Sequence, residues 1–190
     1  MHLWIRSEVR NFEKRVGITP NAVLELISKG FEVTVEESNS RALPIKEYRN
    51  AGANIVPSNS WPSAPDHAII FGLKELPENI ETLKHRHIMF GHAYKGQSGA
   101  SALLKRFKNG GGALYDLEYL LKKNGSRIAA FGYWAGFAGA AVSLKVWLHQ
   151  RNNKSPGPEK INIYAGRDEL IQDLVNEFTD KNINNHNKPN

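Results

Sequence analysis

The chain has 190 residues, of which 41% are hydrophobic and 23% charged, a composition typical of a folded globular protein rather than of a disordered or fibrous one. Its formal net charge is +6, but Lys and Arg alternate with Glu and Asp and form no basic stripe, so nucleic acid is not an expected partner. Cys is absent, which excludes disulfides, thiolate catalysis and Cys-bound zinc.

The start of the chain predicts a strand, a helix and a second strand. His2–Arg6 is a short apolar strand. Thr19 and Pro20 supply an N-cap and a first-turn proline for a helix that ends at Gly30. Phe31–Glu37 alternates apolar and polar residues, which indicates a strand.

The same alternation continues through the middle of the chain. Further helices are predicted at Pro44–Ala51, Pro77–Lys84 and Ser98–Lys108, and further strands at Asn54–Val56, Ala68–Phe71, His87–Phe90 and Ala113–Tyr119. Strands that alternate with helices favour an α/β fold, in which an open, mostly parallel sheet carries helices on both faces.

The last third is predicted to be mainly helical. A turn at Asn124-Gly125 precedes Arg127–Phe131, and Tyr133–Gln150 forms one long helix with a smooth Gly and Ala face. Asp168–Lys181 is an amphipathic helix that should dock on another surface. We predict a main domain at residues 1–150, a polar linker with this helix at 151–181, and a disordered tail at 182–190.

Membrane insertion is not expected. The longest apolar run, Ile128–Leu144, is shorter than a membrane span and rich in Gly and Ala. Met1–Arg10 has no apolar signal core. A cytoplasmic location is therefore the default expectation.

Ionisable side chains follow several predicted strands, at the edge of the sheet where α/β proteins bind ligands. Lys74 and Glu75 follow one strand, His92 and Lys95 the next, and Glu118 lies at the end of another. The loop after the first strand supplies Arg15 beside Glu13. Four segments are therefore expected to converge on one edge.

These residue types suit acid and base chemistry on a carboxylate-bearing ligand. Lys74 can serve as a base if its pKa is lowered, His92 titrates near neutral pH, and the planar guanidinium of Arg15 matches a carboxylate. Glu75 and Glu118 would balance these positive charges. A Lys-Glu pair after a strand is, however, more often part of a solvated loop than of a catalytic site, and the same holds for a single His.

Other polar and aromatic residues receive structural interpretations. His85 and His87 flank Arg86 without metal-ligand partners, so we expect both on the surface and predict no metal site. The Trp residues are expected in the core or at an interface.

The sequence resembles a known family at these same positions. Glu13–Pro20 (EKRVGITP) is similar to the opening shared by alanine dehydrogenases, transhydrogenase amino-terminal domains and saccharopine dehydrogenases. The segments that resemble lysine-forming saccharopine dehydrogenase in particular are Glu47–Ala53 (EYRNAGA), Gly72–Pro77 (GLKELP), Phe90–Lys95 (FGHAYK), Leu114–Glu118 (LYDLE) and Ala129–Ala140 (AAFGYWAGFAGA).

The resemblance implies an activity and roles for individual residues. The reaction would be the NAD-dependent oxidation of saccharopine at its secondary amine, followed by hydrolysis of the imine to lysine and 2-oxoglutarate. Lys74 would take the amine proton and His92 would serve the attacking water. Arg15 would hold a substrate carboxylate, with Lys95, Glu75 and Glu118 as charged neighbours. Residues 1–150 would then be the substrate-binding domain.

One departure from the family concerns the cofactor. No G-x-G-x-x-G motif follows a strand in these 190 residues, so NAD is expected to bind to a domain missing from them, and the chain alone is expected to be inactive. A separate Rossmann-domain chain or a homo-oligomer is a possible partner. The alternatives are a non-enzymatic binding module for dicarboxylic amino acids or 2-oxoglutarate, and a decayed remnant without function.

Overall fold

The computed structural model describes residues 1–153, 155–164 and 166–180. The chain divides into two compact units, Met1–Ala129 and Ala130–Asn190. By packing, the division therefore falls before the long helix, whereas the boundary predicted at residue 150 lies within it. The tail predicted at 182–190 lies outside the described residues.

The first unit is built on a six-stranded sheet in which every pair of neighbouring strands is parallel. The strands are β1 His2–Ile5, β2 Glu32–Glu36, β3 Asn54–Val56, β4 Ile69–Phe71, β5 Arg86–Met89 and β6 Ala113–Asp116. Their order across the sheet is β3-β2-β1-β4-β5-β6. The predicted open α/β sheet is confirmed.

Strand β1 lies at the centre of this sheet, and all four of its residues are buried. Strands inside a parallel sheet are covered on both faces, which explains why this segment reads as a continuous apolar run with a single buried His2. The main core cluster consists of Trp4, Trp61, Ala64, Ala68, Ile70, Leu76, Leu83, Met89 and Phe107.

The helices of this unit are α1 Pro20–Ser28, α2 Ile45–Asn50 and α3 Ala100–Gly110. At the start of α1 the Thr19 hydroxyl accepts a hydrogen bond from the Ala22 N–H at 3.3 Å, so the predicted N-cap is confirmed. At its end, Gly30 adopts a φ of +83°, a conformation that favours glycine.

The helix predicted at Pro77–Lys84 is wrong, because this segment is irregular. Its carbonyl groups bond to a distant side chain instead of to amides one turn away: Arg106 donates to the Ile80 carbonyl at 2.7 Å and to the Pro77 carbonyl at 2.6 Å. The Leu83 amide donates to the Arg106 carbonyl at 3.0 Å, and its side chain is fully buried. Helix α3 thus supplies the partners that a helical turn would have supplied.

The prediction that His85 and His87 lie on the surface is also wrong, since both are 1% exposed. His85 Nε2 lies 3.0 Å from the Ala64 carbonyl oxygen. The ring of His87 packs edge-on against Trp61 and Phe107, with centroids 5.0 and 5.4 Å away. Burial lowers the pKa of His87 to about 3, so this imidazole is neutral at physiological pH.

Strand β6 is shorter than the strand predicted at Ala113–Tyr119. The strand stops at Asp116, whose side chain accepts the Glu118 N–H at 3.0 Å and starts a 3-10 turn at Leu117–Tyr119. The predicted turn at Asn124-Gly125 is present, closed by a single antiparallel bridge between Leu121 and Arg127.

The second unit contains α4 Gly132–Asn153 and α5 Arg167–Asp180. Helix α4 extends past the predicted linker start at Arg151. The two helices pack on each other: Lys145 donates to Asp173 at 2.7 Å and to Glu177, and the rings of Trp147 and Phe178 stack at 6.1 Å. Within the described residues, no helix combines the length and the apolar character needed to cross a membrane.

Candidate active site

The order of the strands creates a crevice between β1 and β4. Strands β2 and β3 extend the sheet on one side of β1, and β4, β5 and β6 extend it on the other. At such a switch point the loops that leave the two central strands diverge, and ligands bind between them. The predicted site residues lie in loops that follow β1, β4, β5 and β6, so all of them belong to the carboxyl-end edge.

The backbone around Lys74 is fixed from the loop that follows β1. The Glu8 carboxylate accepts the Leu73 N–H at 2.6 Å and the Lys74 N–H at 3.0 Å. Arg6 donates to the Lys74 carbonyl and also to the Glu8 carboxylate, the latter at 3.3 Å. Side chains that follow one central strand therefore hold the backbone that leaves the other.

Arg6 is a buried cation, 2% exposed, and Gly72 makes room for it. A Cβ atom at residue 72 would lie 2.3 to 2.6 Å from three atoms of the Arg6 side chain, so only glycine fits there without displacement. Burial lowers the pKa of Arg6, and the neighbouring Glu8 opposes this shift. A guanidinium still remains charged at any physiological pH.

Arg15 forms a two-pronged ion pair with the buried carboxylate of Glu13. Its Nε donates to Oε1 at 2.8 Å and its Nη2 donates to Oε2 at 2.5 Å. These bonds hold the pKa of Glu13 below its usual range despite its burial, and the positive charge of Lys74 adds to the effect. Arg15 is thus oriented by Glu13, in the neighbourhood of Lys74.

Three cationic or titratable side chains surround the carboxylate of Glu118. Lys95 Nζ donates to Oε2 at 2.5 Å, and Arg127 Nη1 donates to the same oxygen at 2.7 Å. His92 Nδ1 lies 3.8 Å from Oε1. Hydrogen bonds from Lys95, and then from Arg127, hold the pKa of Glu118 below its ordinary value, so this carboxylate stays ionised at neutral pH.

His92 has an unusual backbone conformation. Its φ is +49°, in the left-handed region, and its ring stacks on Phe90 with centroids 6.3 Å apart. Non-glycine residues in this region are uncommon, although His, Asn and Asp tolerate it best, and they occur frequently at functional sites. This conformation turns the chain sharply after β5.

A pocket of about 540 Å³ opens beside His92. Its lining includes Glu75, Phe90, Gln97, Ser98 and the first turn of α3. Glu75 is exposed and pairs with Arg10 at 3.3 Å, so it reaches the pocket from the rim and does not join the group around Glu118. The volume lies within the range of small-molecule sites.

The predicted residues therefore form neighbouring groups on one edge. His92, Lys95 and Glu118 are in direct contact or close to it, whereas Arg15 is paired with Glu13 and Lys74 lies in the loop bound by Glu8. Their roles stay predictions. The arrangement offers a cationic rim for carboxylates together with an amine and an imidazole that can exchange protons.

Residues 4–138 match the protein family described as "Alanine dehydrogenase/PNT, N-terminal domain". The chain belongs to this family. Among curated relatives, it is 51% identical to a saccharopine dehydrogenase [NAD(+), L-lysine-forming] from Schizosaccharomyces pombe over 150 residues, which cover 78% of this chain and 41% of the relative. The protein of the same name from Candida albicans is 46% identical over 188 residues, 93% of this chain and 49% of the relative.

Two solved structures share the fold of this chain. An L-alanine dehydrogenase superposes with a TM-score of 0.62 at 17% identity. The match covers 93% of this chain and 52% of the alanine dehydrogenase chain. A transhydrogenase from Sinorhizobium meliloti gives a TM-score of 0.52 at 18% identity over 80% of this chain and 43% of its own. The 190-residue chain spans about half the length of the curated relatives it matches.

Sequence reasoning missed three residues of the site, Arg6, Glu8 and Arg127. Arg6 and Glu8 directly follow β1, so the rule that placed Lys74 after β4 applies to them equally. Arg127 follows a predicted turn rather than a strand, and only the chain reversal at Asn124-Gly125 brings it to Glu118. No local pattern around Arg127 signals that contact.

Proposed function

We propose that the chain is the substrate-binding part of a lysine-forming saccharopine dehydrogenase. The observation that carries the proposal is that Lys74 and His92, the two groups suited to proton transfer, follow the adjacent strands β4 and β5 at the carboxyl-end edge. The names of the curated relatives support the same reaction. NAD would be bound by residues outside these 190 residues, either in the same polypeptide or in a separate one.

The cationic groups explain how a substrate with several carboxylates would be held. Saccharopine carries three carboxylates and a secondary amine. Lys95 and Arg127 share the single carboxylate of Glu118, so a substrate carboxylate that approaches them meets more positive charge than negative. Arg15, oriented by Glu13, would provide a second anchor by the geometry that guanidinium groups share with carboxylates.

Two proton-transfer roles follow from the two titratable groups. NAD, once bound by a nucleotide-binding domain, would supply the hydride acceptor for the carbon that becomes the keto carbon of 2-oxoglutarate. Lys74 takes the proton that the amine nitrogen gives up as the imine forms. His92 then takes a proton from the water that attacks this imine. As the C–N bond breaks, both protons of that water pass to the nitrogen through His92, and lysine and 2-oxoglutarate are released.

Glu8 and Glu118 have different tasks in this scheme. Glu8 fixes the backbone of Lys74 through two amide hydrogen bonds, which limits the positions available to the ammonium group. Glu118 lies 3.8 Å from Nδ1 of His92, so its carboxylate is placed to orient the imidazole toward the attacking water.

Reconstitution tests the function. The purified chain is mixed with a separately produced Rossmann-domain half of a saccharopine dehydrogenase, and NADH formation is followed at saturating saccharopine. We expect NADH only in the mixture, with Lys74→Met and His92→Asn each reducing the rate at least about 100-fold. The exposed Lys105→Met is the matched control. An inactive mixture, or full activity of both variants, would contradict the proposal.

A second candidate is a non-enzymatic binding module for dicarboxylic amino acids or 2-oxoglutarate. The observation that favours it is the pocket of about 540 Å³ beside His92, formed without any contribution from a nucleotide-binding motif. Calorimetry with 2-oxoglutarate distinguishes the two. Binding that is lost in His92→Asn, combined with no NADH in the mixture, selects the binding module, whereas binding together with NADH formation selects the enzyme.

A further inference from the structure

Three potential metal ligands meet at the amino-end edge of the sheet, opposite the candidate active site. His2 is the first residue of β1, Glu32 is the first residue of β2, and His67 lies just before β4. One nitrogen or oxygen atom from each lies within 4.8 Å of the other two. The sequence predicts no metal site here because the three residues are far apart along the chain.

The pairing of the central strands brings these side chains together. The parallel register aligns His2 with Glu32 and, on the other side of β1, Leu3 with Ile69, which places the segment with His67 beside the start of β1. The rings of His2 and His67 have centroids 5.9 Å apart. The sheet therefore fixes the backbones of His2 and Glu32, and the turn before β4 places His67 beside them.

The spacing suits a tetrahedral ion after a small adjustment. His2 Nε2 lies 3.7 Å from Glu32 Oε1. Zinc bonds of about 2.0 to 2.2 Å imply ligand atoms roughly 3.3 to 3.6 Å apart around a tetrahedron. The side chains of Glu32 and His67 are exposed and can close on an ion, whereas the buried His2 supplies the rigid member of the set.

His2 already has a hydrogen-bonding neighbour at the nitrogen that faces Glu32. The Thr34 hydroxyl lies 2.8 Å from the same Nε2 and competes with an ion for its lone pair. We therefore expect weaker binding than at a zinc site with four protein ligands.

We infer that His2, Glu32 and His67 form a binding site for a divalent transition-metal ion of the zinc class, separate from the candidate active site. Two imidazoles and one carboxylate are a common zinc set, and water completes the fourth position. The nearby Asp66 is not the fourth ligand, because it is paired with Lys84 at 2.7 Å. A bound ion would join the starts of three strands and stabilise the sheet.

Zinc and cobalt binding to the full, untagged and metal-free chain tests this inference. We expect calorimetry to show one equivalent of Zn²⁺ bound, Tm to rise with zinc concentration, and Co²⁺ to give the intense visible bands of a four-coordinate site. His67→Ala and Glu32→Gln should each weaken zinc binding at least about tenfold, since each removes one of three ligands. Both side chains are exposed, so both variants should fold as the parent does.

Matched controls separate this site from other imidazoles and carboxylates. His149→Asn and Glu25→Gln change the same residue types elsewhere in the chain and should leave zinc affinity unchanged. Equal affinity in His67→Ala, Glu32→Gln and the parent would overturn the inference, and so would the absence of both binding heat and a Tm shift. The result is independent of the reconstitution experiment, which does not involve this edge.

Discussion

Two neighbouring regions of the candidate site, the loop after β4 and the segments after β5 and β6, hold their charged residues in different ways. The loop after β4 is held through its backbone by the buried Arg6 and by Glu8, while the residues after β5 and β6 are held through side-chain ion pairs on Glu118. Arg6 is 2% exposed, whereas the side chains of Lys95 and Arg127 are 48% and 44% exposed. Buried pairs are costly to break and exposed pairs contribute little to stability. The first region is therefore rigid, and the second can exchange partners with a ligand.

The largest effect is expected from Glu8→Ala. It removes the carboxylate that pairs with the buried Arg6 guanidinium and accepts two backbone amides. The free energy of unfolding should fall by about 3–5 kcal/mol, measured by urea denaturation. Glu37→Ala, at an exposed carboxylate, is the control and should change it by less than about 0.5 kcal/mol. A small loss in Glu8→Ala would mean that the two regions do not differ as proposed.

The buried His87 should dominate the loss of stability in weak acid. Its effect must be measured separately from that of the carboxylates. Its folded pKa of about 3 lies below the ordinary value, so the unfolded chain binds the proton more readily and stability falls as pH drops below about 6.5. The loss should reach about 2 kcal/mol at pH 5. His87→Phe, which keeps an aromatic ring between Trp61 and Phe107, should reduce this slope between pH 6.5 and 5, and the buried His2, whose pKa burial also lowers, accounts for a remaining part. The same slope in both proteins would contradict the prediction.

Gly72→Ala tests the close approach of Arg6 to the loop after β4. The added methyl group meets the Arg6 guanidinium region at 2.3 to 2.6 Å, so either the cation or the loop must move. We expect a loss of at least about 1 kcal/mol in the free energy of unfolding. Gly139→Ala, in α4, is the control: its Cβ meets nothing within 4 Å, and helix propensity predicts a gain of about 0.5–1 kcal/mol. Equal changes in both variants would argue against crowding at residue 72.

The smallest effect is expected from Glu118→Gln. The pKa of Glu118 is depressed, so its contribution to stability is present above the ordinary carboxyl pKa, about 4.3, and is lost as pH falls through the lower folded value. Because the partner cations are about half exposed, the loss at pH 7 should be below about 1 kcal/mol and should shrink in high salt. Denaturation at pH 7 and at a pH below the folded pKa of Glu118, both in the His87→Phe background, measures this loss. A loss that persists at low pH would have a different origin.

Local signals in the sequence predicted most of the strands and the capped start of α1. The strand pattern of Phe31–Glu37 and the Thr19 cap depend on residues close in sequence, and both are present. The helix prediction for Pro77–Lys84 was wrong because Arg106, distant in sequence, supplies the hydrogen-bond partners of this segment. The prediction that His85 and His87 lie on the surface was wrong because burial depends on what packs over a segment. Around His87 this is Trp61 and Phe107.

The candidate site could be predicted as a location but not as a set of contacts. The rule that ligands bind beyond carboxyl ends of strands selected Lys74 and His92, since it requires only the strands themselves. The role of Arg6 and Glu8 depends on β1 and β4 being neighbours, which the order of strands in the chain does not reveal. Arg127 depends on a chain reversal that is stabilised by a single bridge.

The left-handed φ of +49° at His92 restricts which replacements are informative. A β-branched or bulky residue would be strained there, so a loss of activity in such a variant would mix altered chemistry with an altered main chain. Asparagine tolerates the same torsion and lacks an imidazole. At this position asparagine is therefore the probe that separates proton transfer from conformation, and alanine is not.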